Sequence, residues 1–283
     1  MRLGHAFGIA LLAIAPCTAC SLLTPLDGLT GGGGPSLDGG AGDGAGGGDA
    51  GASDGAGGSD AAGGGPDGAI TACGGPGLVA AWLFEEGAGD LVHDCTGAKV
   101  DGSRGGTTGS VLWGKRGSST CLEINGPSAP ITMGRRSELA LAGPFTVAGW
   151  MRSDDATDHF VSLAWRFDGK GFEITLDSLG NLYAQIGLSN ATAVKLQYPR
   201  LTPGTWTHLA AVFEPGIRFE LFADGVSVKK RTDLTSPPSL TAASQDFRIG
   251  VLGDGTTWRG GIDDVRIYAR ALADAEIAEL AKP

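Results

Sequence analysis

Two adjacent carboxylates, Asp263 and Asp264, stand inside "GGIDDVRIYARAL" (260–272), a stretch that otherwise reads as a buried β-strand. Successive strand residues point to opposite faces. Plain alternation therefore puts Asp263 with Val265 and Ile267, and Asp264 with Ile262, Arg266 and Tyr268. At least one acid then points toward apolar packing, where an unpaired carboxylate costs several kcal/mol. Three roles meet that requirement: a catalytic carboxylate, a metal ligand, or a structural clamp. In the clamp, Asp263 takes backbone N–H groups and Asp264 takes an arginine such as Arg266 or Arg270.

Catalysis is the first role to test. Retaining glycoside hydrolysis needs two carboxylates about 5 Å apart. The other acidic pair on one strand, Glu173 and Asp177 in "GFEITLD" (171–177), has the same parity but is four residues apart. That is about 13–14 Å along a strand, too far for this chemistry. From residue 77 onward the chain has no Gly-x-Ser-x-Gly, no phosphate loop and no His-Glu-x-x-His, so nucleophilic and zinc-hydrolase readings have no motif in the strand-rich part to stand on. Cys73, Cys95 and Cys121 form no CxxC, and the four histidines are scattered, which argues against a zinc site. The sequence reads as noncatalytic.

The elements that would position these acids are short alternating segments from residue 77 onward. "GLVAAWLF" (77–84), "CLEIN" (121–125), "PFTVAGWMR" (144–152), "FVSLAWRF" (160–167), "GFEITLD" (171–177), "NLYAQIGL" (181–188), "WTHLAAVF" (206–213), "RFELFAD" (218–224) and "FRIG" (247–250) all suit strands. Many are apolar on both parities, as in two stacked sheets with a packed inner face and a partly covered outer one. Asp224-Gly225 is a two-residue hairpin signal between "RFELFA" and "VSVKKR", and "DSLGN" (177–181) is a looser one. One helix is expected, in "ALADAEIAELAK" (271–282), with Leu272, Ile277 and Leu280 on one side and Asp274 as N-cap. Trp82, Trp150 and Trp206 are expected in the core, and Trp113 and Trp165 in loop packing. The fold class is all-β: a two-sheet antiparallel jelly-roll sandwich with one short C-terminal helix.

Ahead of it the composition changes. Residues 31–68 hold 19 glycines, and their only charges are Asp38, Asp43, Asp49, Asp54, Asp60 and Asp67. Such a tract cannot bury enough apolar surface to offset its ordering entropy and reads as a disordered acidic spacer, with a reach of roughly 35 Å. The formal net charge of −10 is largely the spacer's; residues 69–283 carry −4. No basic cluster interleaved with aromatics is present, which argues against nucleic acid as a partner.

The first twenty residues, "MRLGHAFGIALLAIAPCTAC", have a positive start, an apolar run from Ala6 to Ala15 and small residues before a cysteine. They resemble a bacterial lipoprotein signal. That resemblance implies cleavage after Ala19, a lipid on Cys20, and, with Ser21 following, export to an outer membrane, facing the periplasm or the surface. The pattern departs at Cys17, where leucine is usual. The expected organisation is a signal peptide at 1–19, a lipid-anchored tether at 20–71 and a folded domain at 72–283. In an oxidising compartment Cys73, Cys95 and Cys121 supply one disulfide and one leftover thiol; Cys95–Cys121 and Cys73–Cys95 both remain open.

The order "GLVAAWLFEEGAGDLVHDCTG", "CLEING", "GPFTVAGWMR", "GFEITLDSLGNLYAQI", "GTWTHLAAVFEPG", "ELFADGVSV" and "WRGGIDDVRIYARALADAEIAEL" resembles the bacterial laminin-G-like (concanavalin A-like lectin/glucanase) superfamily across residues 76–281. Its most specific piece is Ile-Asp-Asp-Val-Arg-Ile-Tyr followed by Arg-Ala-Leu. The chain departs at Ala273, where the family usually has serine, and at Cys95. The Glu-x-Asp-x-x-Glu run of related glucanases is absent. The resemblance implies a calcium ion tying the first strand to the last, with Asp263, Glu85 or Glu86, and the Gly102 carbonyl as ligands. It also implies a recognition module that binds a glycan or protein on its concave face or loop rim, to which Tyr183, Tyr198 and Trp165 would contribute. The alternative is an envelope lipoprotein without a dedicated ligand.

Overall fold

The computed structural model describes residues 71–105, 111–125, 131–154, 161–166 (backbone only), 170–176, 181–190, 192–232, 234, 236, 246–250 and 259–283. Cys20, the glycine-rich stretch, Asp177 and the rest of the 177–180 turn lie outside them.

The strands are β1 (Leu78–Trp82), β2 (Leu91–Val92), β3 (Gly102–Arg104), β4 (Val111–Arg116), β5 (Ser119–Ile124), β6 (Ile131–Gly134), β7 (Phe145–Ser153) and β8 (Val161–Arg166). They continue with β9 (Phe172–Leu176), β10 (Asn181–Gly187), β11 (Ala193–Arg200), β12 (Trp206–Glu214), β13 (Arg218–Ala223), β14 (Val226–Arg231), β15 (Phe247–Ile249) and β16 (Gly260–Tyr268), and the chain closes with helix α1 (Asp274–Leu280). The first sheet runs β14-β13-β12-β7-β16-β5-β4, with β1 also on β16; the second runs β11-β10-β9-β8-β15-β6-β3-β2. Every strand pairing is antiparallel. The expected sandwich is the fold observed.

Alternation builds the core. Phe145, Val147 and Met151 of β7 and Leu209, Ala211 and Phe213 of β12 face inward and are fully or nearly fully buried. They meet Phe172, Ile174 and Leu176 of β9 and Leu182, Ala184 and Ile186 of β10 from the other sheet. Phe145 and Phe172 bridge the two layers with ring centroids 5.3 Å apart. Each such side chain contributes about 1.5–3 kcal/mol on leaving water. The first sheet is apolar on both parities because α1 covers part of its outer face: Leu272, Ile277 and Leu280 pack on Ala148, Ala210, Val212, Phe222 and Tyr268.

The helix begins one residue earlier than its sequence signal, which places the N-cap at Asp274. Ala273 is the N-cap and has no side-chain acceptor, so Glu276 reaches back to the Ala273 N–H at 2.8 Å. Asp274 is the first helical residue and accepts from Arg218 at 2.7 Å. The Asp224-Gly225 turn forms as read, with both residues at positive φ (48° and 77°), the geometry of a type I′ hairpin. Strands β2, β3, β4, β6 and β11 carry no clear strand signal. Three have four residues or fewer, β4 is broken by Gly114 and ends in two cations, and β11 contains Pro199, tolerated because β11 is an edge.

Asp94 organises the N-terminal segment. Its carboxylate accepts the N–H groups of Ala81, Thr96 and Val100 and the Thr96 hydroxyl, at 2.8–3.1 Å. The loop is thereby laid against β1, where Cys95 N–H meets the Ala81 carbonyl at 2.9 Å.

Candidate functional site

The acids that open the sequence argument sit at a β-bulge. Between Asp263 and Arg266 the register of β16 against β7 slips, and Asp264 takes a left-handed conformation at φ 51°. This corrects the plain alternation. Asp263 pairs with Trp150 and Arg266 with Ala148, so both lie on the outer face, while Val265 and Ile267 face the core. Asp263 is buried, and its Oδ2 accepts from Arg116 Nε at 2.6 Å. That guanidinium also lies 4.5 Å from the centroid of the Trp150 ring. Asp264 takes a bidentate pair from Arg266, at 2.7 and 2.9 Å. Burial pushes Asp263 up to about 6, against the pull of Arg116. The arrangement is a clamp fastening β4 to β16.

The expected calcium ligands are not gathered around it. Glu85 accepts the Thr120 N–H at 3.0 Å and Glu86 the His93 N–H at 2.6 Å. Gly102 belongs to β3 in the second sheet, whereas Asp263 belongs to the first. Asp263 Oδ1 and Glu86 Oε2 are buried without a hydrogen-bond partner, the one feature that favours a cation. Among the described residues no group of three or more His, Cys, Asp or Glu is placed to hold a metal ion. As placed, the four do not fit one calcium site. A guanidinium supplies the positive charge that Asp263 needs.

Of the two disulfides left open, the structure contains Cys73–Cys95. Cys121 is a buried free thiol whose Sγ lies 3.6 Å from Glu123 Oε1. Burial and the charges of Glu123 and Asp263 push it up to about 12, so it is held protonated and unreactive.

Strand register assembles a second constellation, which the sequence does not signal as a unit. Across the second sheet, Lys195 pairs with Gln185, Gln185 with Glu173, Glu173 with Trp165, Trp165 with Arg248, Arg248 with Thr132 and Thr132 with Ser103. One row of polar and aromatic residue types therefore crosses seven strands. It lies on the outer face, because Ile174, Leu182, Ala184 and Ile186, of the other parity, fill the core. The next row places Gln197, Tyr183, Thr175 and Ser162 in line. Lys195 holds its ammonium 3.6 Å from the centroid of the Tyr183 ring. Burial raises Glu173 to about 7, opposed by a hydrogen bond from Tyr183 and the charge of Lys195.

Among the described residues of these two rows, Glu173 is the sole carboxylate. The solvent-facing groups of the face include the Lys195 ammonium and the amides of Gln197 and half-buried Gln185, which can exchange hydrogen bonds with a polyhydroxylated ligand. Of the residues singled out from sequence, Tyr183 and Trp165 fall on this face, Trp165 by backbone register. Tyr198 packs partly against the core. Trp206 is half-buried, while Trp82 and Trp150 are buried.

Residues 125–278 match the family model described as the concanavalin A-like lectin/glucanases superfamily. No curated protein sequence matches the chain. Among solved structures it is similar to the binding domain of Paraclostridial Mosquitocidal Protein 1 (TM-score 0.59, 16% identity, covering 72% of this chain and 52% of that one). It is also similar to the binding domain of botulinum neurotoxin serotype G (TM-score 0.58, 13% identity, 72% and 50% covered). A third similar structure is domain 4 of AbnA, a GH43 extracellular arabinanase from Geobacillus stearothermophilus, solved in complex with arabinotriose (TM-score 0.57, 24% identity, 72% and 98% covered). The chain spans about half the length of the two toxin binding domains and nearly all of the arabinanase domain. At these identities the likeness establishes the fold.

Proposed function

From a chain that belongs to the concanavalin A-like lectin/glucanases superfamily, we infer a noncatalytic recognition module that binds carbohydrate or protein at the bacterial cell envelope. In this reading Cys20 carries a lipid, the glycine-rich stretch is a tether, and the outer membrane is the anchor. The observation that carries the binding role is the in-register row from Lys195 to Ser103 on the outer face of the second sheet. Solved neighbours add support: the arabinanase domain is in complex with arabinotriose, and a botulinum neurotoxin binding domain is in complex with rat synaptotagmin II.

The test is a glycan array probed with the full chain in nonionic detergent, repeated with Gln185→Ala and Lys195→Ala. Binding to a glycan class that both substitutions weaken at least tenfold supports the reading. A blank array with an intact fold refutes the glycan arm of it.

One observation favours the alternative, an envelope lipoprotein without a dedicated ligand. Glu173 and Tyr183, in the middle of the face, are only 5% and 7% exposed, so part of the row serves internal packing.

A further inference from the structure

Edge strand β11 of the second sheet faces edge strand β14 of the first, and two clefts lie on this seam. The larger, about 410 Å³, is lined by Asn181, Gln197, Tyr198, Pro199 and Lys229. That volume is within the range of small-ligand sites. The smaller, about 180 Å³, takes in Asn190, Thr192 and Arg231.

The cations stand in unusual positions. Lys229 pairs with Leu221 and Arg231 with Phe219, both fully buried core residues. Residues opposite one another in an antiparallel pair share a face, so Lys229 and Arg231 occupy the parity that an interior strand would give to apolar side chains. Both are exposed, and neither has an ion-pair partner among the described residues. They are two residues apart, about 7 Å along the strand. β11 and β14 together carry Lys195, Arg200, Lys229, Lys230 and Arg231 and no acid, in a chain of net charge −10.

Inward charges on an edge strand also deter edge-to-edge pairing. That role alone requires neither a cleft nor the amides and tyrosine that line it. Nucleic acid, the other linear polyanion, needs several aromatic platforms for its bases, and among the described residues Tyr198 is the single aromatic lining either cleft.

Resting on the recognition-module reading and narrowing its ligand class, we propose that the β11–β14 seam binds a linear anionic oligosaccharide. Its carboxylate or sulfate groups meet Lys229 and Arg231, and its hydroxyls meet the amides of Asn181 and Gln197.

The experiment is calorimetric titration of the full chain, in nonionic detergent at physiological salt, with four probes. These are oligogalacturonate, its fully methyl-esterified counterpart, a heparin-type sulfated oligosaccharide and a single-stranded DNA oligomer. Oligogalacturonate or the sulfated oligosaccharide binds; the ester and the DNA bind at least tenfold more weakly. Lys229→Gln with Arg231→Gln loses at least tenfold in affinity, and Lys99→Gln, an exposed cation in the loop between β2 and β3, loses none; Glu173→Gln is titrated beside them to report on the outer face.

Equal binding of acid and ester, or of DNA, overturns the proposal. So does silence toward both anionic saccharides, and neutral glycans bound on the array would then show that the recognition reading survives it. Loss of binding in Glu173→Gln but not in the double variant moves the site to the outer face and overturns the seam. Unchanged binding with a newly dimeric double variant reduces the two cations to edge protection.

Discussion

The indole of Trp206 lies against the backbone of Gly261, so closely that a Cβ built on that glycine would stand 2.4 Å from Trp206 Cη2. Arg152 of β7 pairs with both residues in register. Its guanidinium stands 5.2 Å from the centroid of the Trp206 ring and is fixed by Glu123 at 2.9 Å and Asp154 at 2.6 Å. A glycine inside a strand ordinarily weakens it; here the missing Cβ is the space the indole fills. Gly114 does the same for Glu123, whose Cγ would be 2.2 Å from an added Cβ.

Gly261→Ala is expected to destabilise the fold by about 1–3 kcal/mol through overpacking. In a Trp206→Ala background the same change costs under about 0.5 kcal/mol, because the clashing ring is gone. Denaturant unfolding of the four proteins of this cycle checks it; equal costs in both backgrounds would refute the contact.

Arg116→Ala leaves Asp263 buried and uncompensated, an expected loss of about 3–5 kcal/mol. Asp263→Asn added to it restores part of that loss, since the stranded charge is removed. Because Arg116 supplies the positive charge, the melting temperature of the unmodified protein is expected to be the same in millimolar calcium and in chelator. A chelator-sensitive melt would assign that charge to a metal.

Glu173 gives stability a pH dependence with a definite sign. Burial raises its folded pKa from 4.5 to about 7, so the folded state binds its proton more tightly than the unfolded state does. Its contribution is fully present below about pH 4.5 and is lost as pH rises through 7. His208 has the opposite sign: burial, then Arg266 and Arg116, lower it from 6.5 to about 3, so its contribution is present above 6.5 and lost in acid. Asp263 shares the sign of Glu173 but acts lower, up to about pH 6. Burial raises Asp264 too, with the same sign, so between pH 6.5 and 8 the Glu173 share is isolated by comparison with a variant that lacks its carboxylate. Stability is expected to fall there by about 1–3 kcal/mol, and Glu173→Gln flattens that limb. A flat limb in the unmodified protein refutes the assignment.

Asp94→Ala removes the acceptor for three N–H groups and one hydroxyl. The expected cost is about 2–3 kcal/mol, with faster amide exchange at Ala81, Thr96 and Val100. Asp94→Asn, which keeps one acceptor oxygen, is expected to lose less.

Strand parity makes the core legible in the sequence. Phe145, Val147, Leu209, Phe213, Ile174 and Leu182 announce their faces because each strand they occupy is long enough to alternate. The bulge at Asp264 is hidden there, since one extra residue reverses parity without changing composition. So is the Asp263–Arg116 pair, whose members are 147 residues apart. The outer row from Lys195 to Ser103 exists only once seven strands are in register, and β3, β6 and β11 lack a strand signal of their own. Asp94 reads as a loop residue. A carboxylate that collects backbone donors leaves no spacing pattern behind.

The Cys73–Cys95 disulfide also settles how the sandwich answers to mechanical load. A pull on the chain ahead of Cys73 passes through the sulfur bridge directly to Cys95. The intervening segment, with all of β1, stays out of the force path, so β1 cannot be unzipped from β16 by tension at its leading end. The load falls instead on Cys95, beside the Asp94 knot and its hydrogen bond to Ala81. Reduction of that one bond would transfer the strain to β1 and change which strand yields first.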